Sequence, residues 1–164
     1  MAENHTIKEI IERVKKNKRW PDVKIIQKAY NYALEKHGTQ LRKSGEPYII
    51  HPTNVAYTIA ELGLDEQTIC AALLHDVVED TNVTFDELEK NFSPEVIEEL
   101  KLLTHDKNVD YLEYVRKIKN NPIARKVKLA DLYHNSDPTR MENPTPKDLE
   151  RKEKYRKAIE ILKY

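Results

Sequence analysis

Residues 69–81 read ICAALLHDVVEDT, and this stretch decides what kind of fold the chain can adopt. From Ile69 to Leu74 it is apolar on most sides, the pattern of a helix lying at the centre of a domain rather than one with a wet face. His75, Asp76, Glu79 and Asp80 follow directly. Residues three or four apart share a helix face, so Glu79 is expected to lie over both His75 and Asp76. Burying such groups unpaired costs several kcal/mol, whereas a divalent cation compensates them directly. The apolar flanks thus favour a metal-ligand role for His75–Asp76 over a satisfied core pair.

Outward from this centre the pattern is helical throughout. Ile7, Ile10, Ile11 and Val14 mark a first amphipathic helix, and Val23, Ile26, Ala29, Tyr30, Ala33 and Leu34 a second that ends near His37. Pro52 at a first helical position starts a third, and Asp65 caps a fourth that runs on through the HDVVED segment. Thr84 with Glu87, Ser93–Pro94, Asn121–Pro122 and Thr145–Pro146 are further helix starts, and another helix spans about Asp110 to Asn120. Gly38 and Gly63 stand where helix terminators belong, and Thr39 to Ile50 is the least regular part. The expectation is an all-α fold, one compact multi-helix domain over residues 1–164.

Composition narrows the function. Lys+Arg and Asp+Glu both number 28, so the net charge is zero and no global positive field exists to hold nucleic acid or an anionic membrane. Neither is expected as a partner. Cys70 has no second cysteine to pair with, which fits a reducing, cytoplasmic setting. The charged first residues lack the apolar stretch of a signal peptide, and no run approaches the roughly 20 apolar residues of a membrane span. Tyr30, Tyr32, Tyr111 and Tyr114 suit either core or an interface, which leaves a homo-oligomer open, and the last helix, with its alternating Glu and Lys, reads as a cover for the core.

Taken alone, His51 before Pro52 reads as a helix cap, and Asp131, with Asn135 one turn on, as a buried hydrogen-bonding group. Together with His75 and Asp76 they form two imidazoles and two carboxylates, a set suited to one Mn²⁺, Fe²⁺ or Zn²⁺ ion and too nitrogen-rich for Mg²⁺ or Ca²⁺. His105–Asp106, at a polar helix end, reads as solvated capping chemistry.

His51, His75–Asp76 and Asp131 resemble the H…HD…D signature of the HD-domain metal-dependent phosphohydrolases, an all-helical superfamily. The longer strings RKSGEPYIIHP (Arg42 to Pro52), AALLHDVVEDT (Ala71 to Thr81) and VKLADLYHN (Val127 to Asn135) resemble the hydrolase domain of the RelA/SpoT family, with the likeness strongest from about Val23 to Arg140. Long members carry a synthetase domain for which this chain has no residues, so it resembles the small stand-alone alarmone hydrolases. The resemblance implies Mn²⁺-dependent removal of the 3′-pyrophosphate of ppGpp and pppGpp, with His51, His75, Asp76 and Asp131 as metal ligands. It gives Glu79, with Asp80 beside it, the attacking water, and Asn135 the orientation of water or phosphate. A metal-bound water reaches hydroxide near neutral pH, and a carboxylate beside it can take or return a proton.

Arg42 and Lys43 resemble the family's basic pair before GxPY and are candidate phosphate and guanine contacts, with Tyr48, Lys128 and Arg140 as further candidates for the nucleotide. Two departures stand out: DLYHN where members commonly have DRLHN, and Thr104–His105 where they often read Thr-Lys. Both leave the metal set untouched and bear on substrate choice. The alternatives are an HD phosphohydrolase acting on NADPH or a nucleoside phosphate, and a catalytically silent nucleotide sensor.

Overall fold

Asp65 accepts the backbone N–H of Thr68 and opens the central helix α4 (Glu66–Leu74), whose residues from Thr68 onward are all buried. In the computed structural model, which describes residues 4–137 and 145–163, α4 is packed on several sides by other helices. These are α2 (Val23–His37), α3 (Ile50–Glu61), α7 (Pro94–Leu103) and α9 (Pro122–Asn135). A helix surrounded in this way has no polar face to spare, which is why Ile69 to Leu74 carries no charge.

The remaining helices are α1 (Ile7–Asn17), α5 (Val77–Asp80), α6 (Phe85–Glu89), α8 (Tyr111–Lys119) and α10 (Pro146–Lys163), making ten among the described residues. Their starts follow the caps read from sequence. Asn121 accepts from Ile123 and Ala124, Thr84 accepts from Glu87, and Thr145 and Asp148 cap each other's backbone N–H. At Ser93 the side chain instead donates to Gln67 and makes no cap bond. Tyr114 is buried and Tyr30, Tyr32 and Tyr111 pack against the core. No described helix is long and apolar enough to cross a membrane.

Two boundaries differ from the sequence reading, and both shape the site. The expected long fourth helix is two: it bends at His75–Asp76, and α5 restarts with Asp80 N–H on the Asp76 carbonyl. Adjacent residues on a straight helix point about 100° apart, so the bend is what lets His75 and Asp76 face one centre. Helix α3 begins at Ile50, not Pro52, because the turn at residues 47–51 already carries the chain into it. Proline is tolerated at the third position, since the first turn's N–H groups have no helical acceptor. His51 is therefore not the cap, and its side chain is free to turn inward.

The irregular stretch between α2 and α3 is a tight loop closed by an isolated bridge from Leu41 to Pro47 and by Arg42 N–H on the Glu46 carbonyl at 2.8 Å. Gly45 at φ 88° makes the reversal, a backbone angle that side chains disfavour. The turn presents Arg42, Lys43 and Tyr48 on one side. α10 packs on α8 and α9, burying Ala158 and Leu162, while Arg125 bonds the carbonyls of Leu162 and Lys163.

Because Leu73 is fully buried at the centre of this arrangement, Leu73→Ala leaves a cavity that no single neighbour can fill. Urea unfolding of this variant is expected to give a loss of about 2–5 kcal/mol; a loss below about 1 kcal/mol would contradict the central placement of α4.

Candidate metal centre

Three helices deliver four side chains to one point. His51 comes from the first turn of α3, His75 and Asp76 from the bend between α4 and α5, and Asp131 from α9. One ligand atom from each lies within 4.8 Å of all the others. His51 Nε2 is 2.6 Å from Asp131 Oδ1 and 3.4 Å from Asp76 Oδ2, and His75 Nε2 is 3.1 Å from both carboxylates. His51, His75 and Asp131 retain only 1%, 3% and 3% of their exposure. Converging lone pairs and carboxylates in so dry a place fit a divalent cation, and the mixed nitrogen and oxygen set suits a transition metal.

The ring and carboxylate orientations are held from behind. His75 Nδ1 donates to the Ala72 carbonyl at 2.6 Å, which leaves Nε2 as the nitrogen offered inward. His51 Nδ1 meets Nδ1 of His134 at 2.7 Å. Asp131 Oδ2 accepts from the Lys128 ammonium at 2.9 Å, while its Oδ1 also accepts from Asn135 at 3.2 Å. Arg42 in turn donates to Asn135 Oδ1 at 2.9 Å, and the Tyr48 hydroxyl lies 2.7 Å from Asp76 and 2.8 Å from Asp80.

Electrostatics follow from this packing. Burial works against charge on His75, but the carboxylates of Asp76 and Asp131 outweigh it and hold the imidazole well above its usual range. Burial pushes His51 the other way, more than Asp131 restores. For Asp131 the cost of burial is overcome by Lys128 and His75, which hold it well below the ordinary carboxylate range. Loss of water around the Glu79 carboxyl pushes it up, opposed by the backbone N–H of His105, which donates to Oε1. Asp80 is raised for the same reason, with the charge of Asp76 adding to it.

Next to the cluster lies a cleft of about 400 Å³ whose lining includes Arg42, Lys43, Tyr48, Asp80, Asn135 and Arg151. Five of the residues singled out in the sequence thus meet on one wall. Lys43 is also paired with Asp148 of α10 at 3.0 Å. Lys128, expected as a contact for the nucleotide, is mostly buried, lies over the rings of Tyr111 and Tyr114 and pairs with Asp131. Arg140 lies outside the described residues. His105 is not mere capping chemistry either, since its ring packs against Tyr111 and Tyr114, its Nε2 meets the Val109 carbonyl, and its backbone anchors Glu79. Asp106, by contrast, makes the local turn bond to Asn108.

Sequence reasoning missed His134, although its spacing of three from Asp131 put it on the same face of α9. It also missed Arg151 and Tyr155, which line the cleft from α10, because an alternating Glu and Lys helix carries no signal of which charges turn inward.

Comparison with known proteins agrees with this geometry. The HD domain model matches residues 29–133. A guanosine-3′,5′-bis(diphosphate) 3′-pyrophosphohydrolase of Aquifex aeolicus is 52% identical over 86 residues, which is 52% of this chain and 12% of that protein. A GTP pyrophosphokinase rsh of Brucella ovis is 42% identical over 140 residues, covering 77% of this chain and 18% of the relative. The chain thus spans less than a fifth of these curated relatives. A solved structure, described as a metazoan ortholog of SpoT that hydrolyzes ppGpp, superposes with a TM-score of 0.69 at 33% identity, covering 87% of this chain and 85% of that one. With a family model matched over more than half of its length and a solved relative of similar extent, the chain belongs to the HD-domain family, in its RelA/SpoT-type branch.

Proposed function

We propose that this protein is a (p)ppGpp 3′-pyrophosphohydrolase, converting the guanosine alarmones to pyrophosphate and GDP or GTP. The observation that carries the reading is the meeting of the buried His51, His75, Asp76 and Asp131 cluster with a cleft walled by Arg42, Lys43 and Arg151. A nucleotide bearing pyrophosphate needs both features, fixed cations for its phosphate oxygens and a metal-binding centre beside the scissile bond. The Aquifex and metazoan relatives support it, because the first is named as a guanosine-3′,5′-bis(diphosphate) 3′-pyrophosphohydrolase and the second is described as hydrolyzing ppGpp.

His51, His75, Asp76 and Asp131 would hold one divalent ion; the mixed donor set suits Mn²⁺, Fe²⁺ or Zn²⁺, and the family resemblance favours Mn²⁺. When bound, such an ion supplies a nucleophilic water near neutral pH and offsets phosphate charge. The other roles belong to the chain. Glu79, with Oε1 tied to the His105 backbone, has its second oxygen to accept a proton from the water. Water oxygen joins the phosphorus attached to the ribose 3′ oxygen, that oxygen–phosphorus bond breaks, and the proton taken by Glu79 is returned to the departing 3′ oxygen. Asp80, joined to Asp76 through Tyr48, holds its carboxyl beside this path, and Asn135 orients the incoming phosphate. Arg42 and Lys43 bind phosphate or stack on guanine. Residues 1–164 act as one hydrolase domain in this reading, working in the cytoplasm on a small nucleotide without nucleic acid or membrane.

A product assay with Mn²⁺ tests the substrate: pyrophosphate is expected from ppGpp and pppGpp, and little orthophosphate from NADPH or nucleoside mono- and triphosphates. Turnover on NADPH alone would move the substrate and keep the centre, while silence on all of them would favour a sensor. Asp76→Ala is expected to lose both Mn²⁺ binding in a calorimetric titration and ppGpp turnover, and normal binding by this variant would remove Asp76 from the ligand set.

Glu79→Gln is expected to keep the metal and lower kcat by about 10²–10⁴-fold. Since Glu79 must be ionised to accept a proton and its carboxyl is raised, activity of the wild type should fall as the pH drops through that raised value. The acid limb should be absent from the residual activity of Glu79→Gln; the same limb in both proteins would assign it to another group.

A further inference from the structure

His51 presents Nε2 to Asp131 and Asp76, so a cation at the centre takes the lone pair of that nitrogen. The neutral ring then carries its one proton on Nδ1. That atom lies 2.7 Å from Nδ1 of His134, and the two rings stack with centroids 4.9 Å apart at 25°. Two ring nitrogens at this distance share one proton. For Nε2 of His51 to be a ligand, the proton must sit on His51 and His134 must accept it.

His134 is itself held in place. Its Nε2 lies 3.1 Å from Nδ2 of Asn54, a buried residue of α3 whose Oδ1 accepts the backbone N–H of His5 at 2.7 Å. As these bonds hold it, with Nδ2 also reaching Asn4 Oδ1 at 3.1 Å, the amide turns its donor end to His134, so a proton on Nε2 of His134 requires Asn54 to turn over and release the His5 N–H. The remaining ligands have anchors of other kinds: a main-chain carbonyl for His75, a phenol for Asp76, and an ammonium with an amide for Asp131. His51 leans on a second imidazole from a different helix, one whose acceptor atom a substitution can remove or restore.

We propose that His134 is a positioning residue for the metal centre: its Nδ1 accepts from His51 Nδ1–H and thereby sets the tautomer and ring angle with which His51 meets the cation. The inference rests on the reading of His51 as a ligand. His134 also lines the cleft, so a role toward substrate is the rival, and metal binding measured without nucleotide separates the two.

The test is calorimetric titration of the full chain with Mn²⁺ alone, for the wild type, His134→Ala, His134→Asn and His134→Gln, with circular dichroism as the check on folding. The asparagine oxygen reaches the place of Nδ1, whereas the glutamine oxygen reaches that of Nε2. Affinity is expected to fall about 10–100-fold in the alanine and glutamine variants and to stay within about threefold of wild type in asparagine. If His134→Ala does not fold, the contrast between asparagine and glutamine decides. Unchanged affinity in folded His134→Ala overturns the inference, and a raised KM in that same protein would make His134 a substrate contact. Equal losses in asparagine and glutamine also overturn it, by making the ring's packing the cause. A wild type that binds no Mn²⁺ sinks the metal-centre reading and this inference together, whereas normal wild-type binding with undisturbed variants sinks this inference alone.

Discussion

Two carboxylates and two imidazoles held within 4.8 Å of one another inside a helical core are the constraint on which the rest of this structure depends. Such groups repel or go unsatisfied unless cations and hydrogen bonds surround them. The chain answers with Lys128 on Asp131, the Ala72 carbonyl on His75, Tyr48 on Asp76 and His134 on His51. Lys128, Ala72 and His134 belong to α9 and α4, which also pack the core, and Tyr48 to the loop that leads into α3, so the fold and the site share contacts.

The break between α4 and α5 shows the trade. An unbroken helix would keep its ladder, yet it would aim His75 and Asp76 about 100° apart. The bend gives up that regularity and gains a convergent pair. The same segment places Glu79 one turn further on, where the backbone of His105 receives it. Thus one irregularity sets both the convergent His75–Asp76 pair of the candidate metal centre and the carboxylate proposed to move a proton.

The cleft beside the centre divides the labour differently. The loop around Gly45 and the helix α10 are far apart in the chain, yet Lys43 and Asp148 join them at 3.0 Å. Arg42 and Arg151 then face one volume, and Arg42 is tied through Asn135 to Asp131 itself. Through this chain of bonds the Arg42 side of the cleft is connected to the candidate metal centre.

What the sequence by itself determined was considerable, because its signals are local. Helical periodicity and the caps at Asp65, Thr84 and Asn121 depend on residues a few positions apart, and they located the helices and the buried α4. His75 and Asp76 were legible because two polar residues in an apolar run need a reason that the run does not supply. The family likeness then joined His51 and Asp131 to them across 80 residues of separation. Local reading is silent where distant segments compete for the same atoms: at His51, which taken alone reads as a cap, and at Lys128, whose pairing with Asp131 depends on burial. It failed at His105 and His134, whose partners lie on other helices. Only tertiary structure decides such cases, since a side chain's orientation is set by the acceptor that packing brings within about 3 Å, and periodicity carries no record of which acceptor that will be.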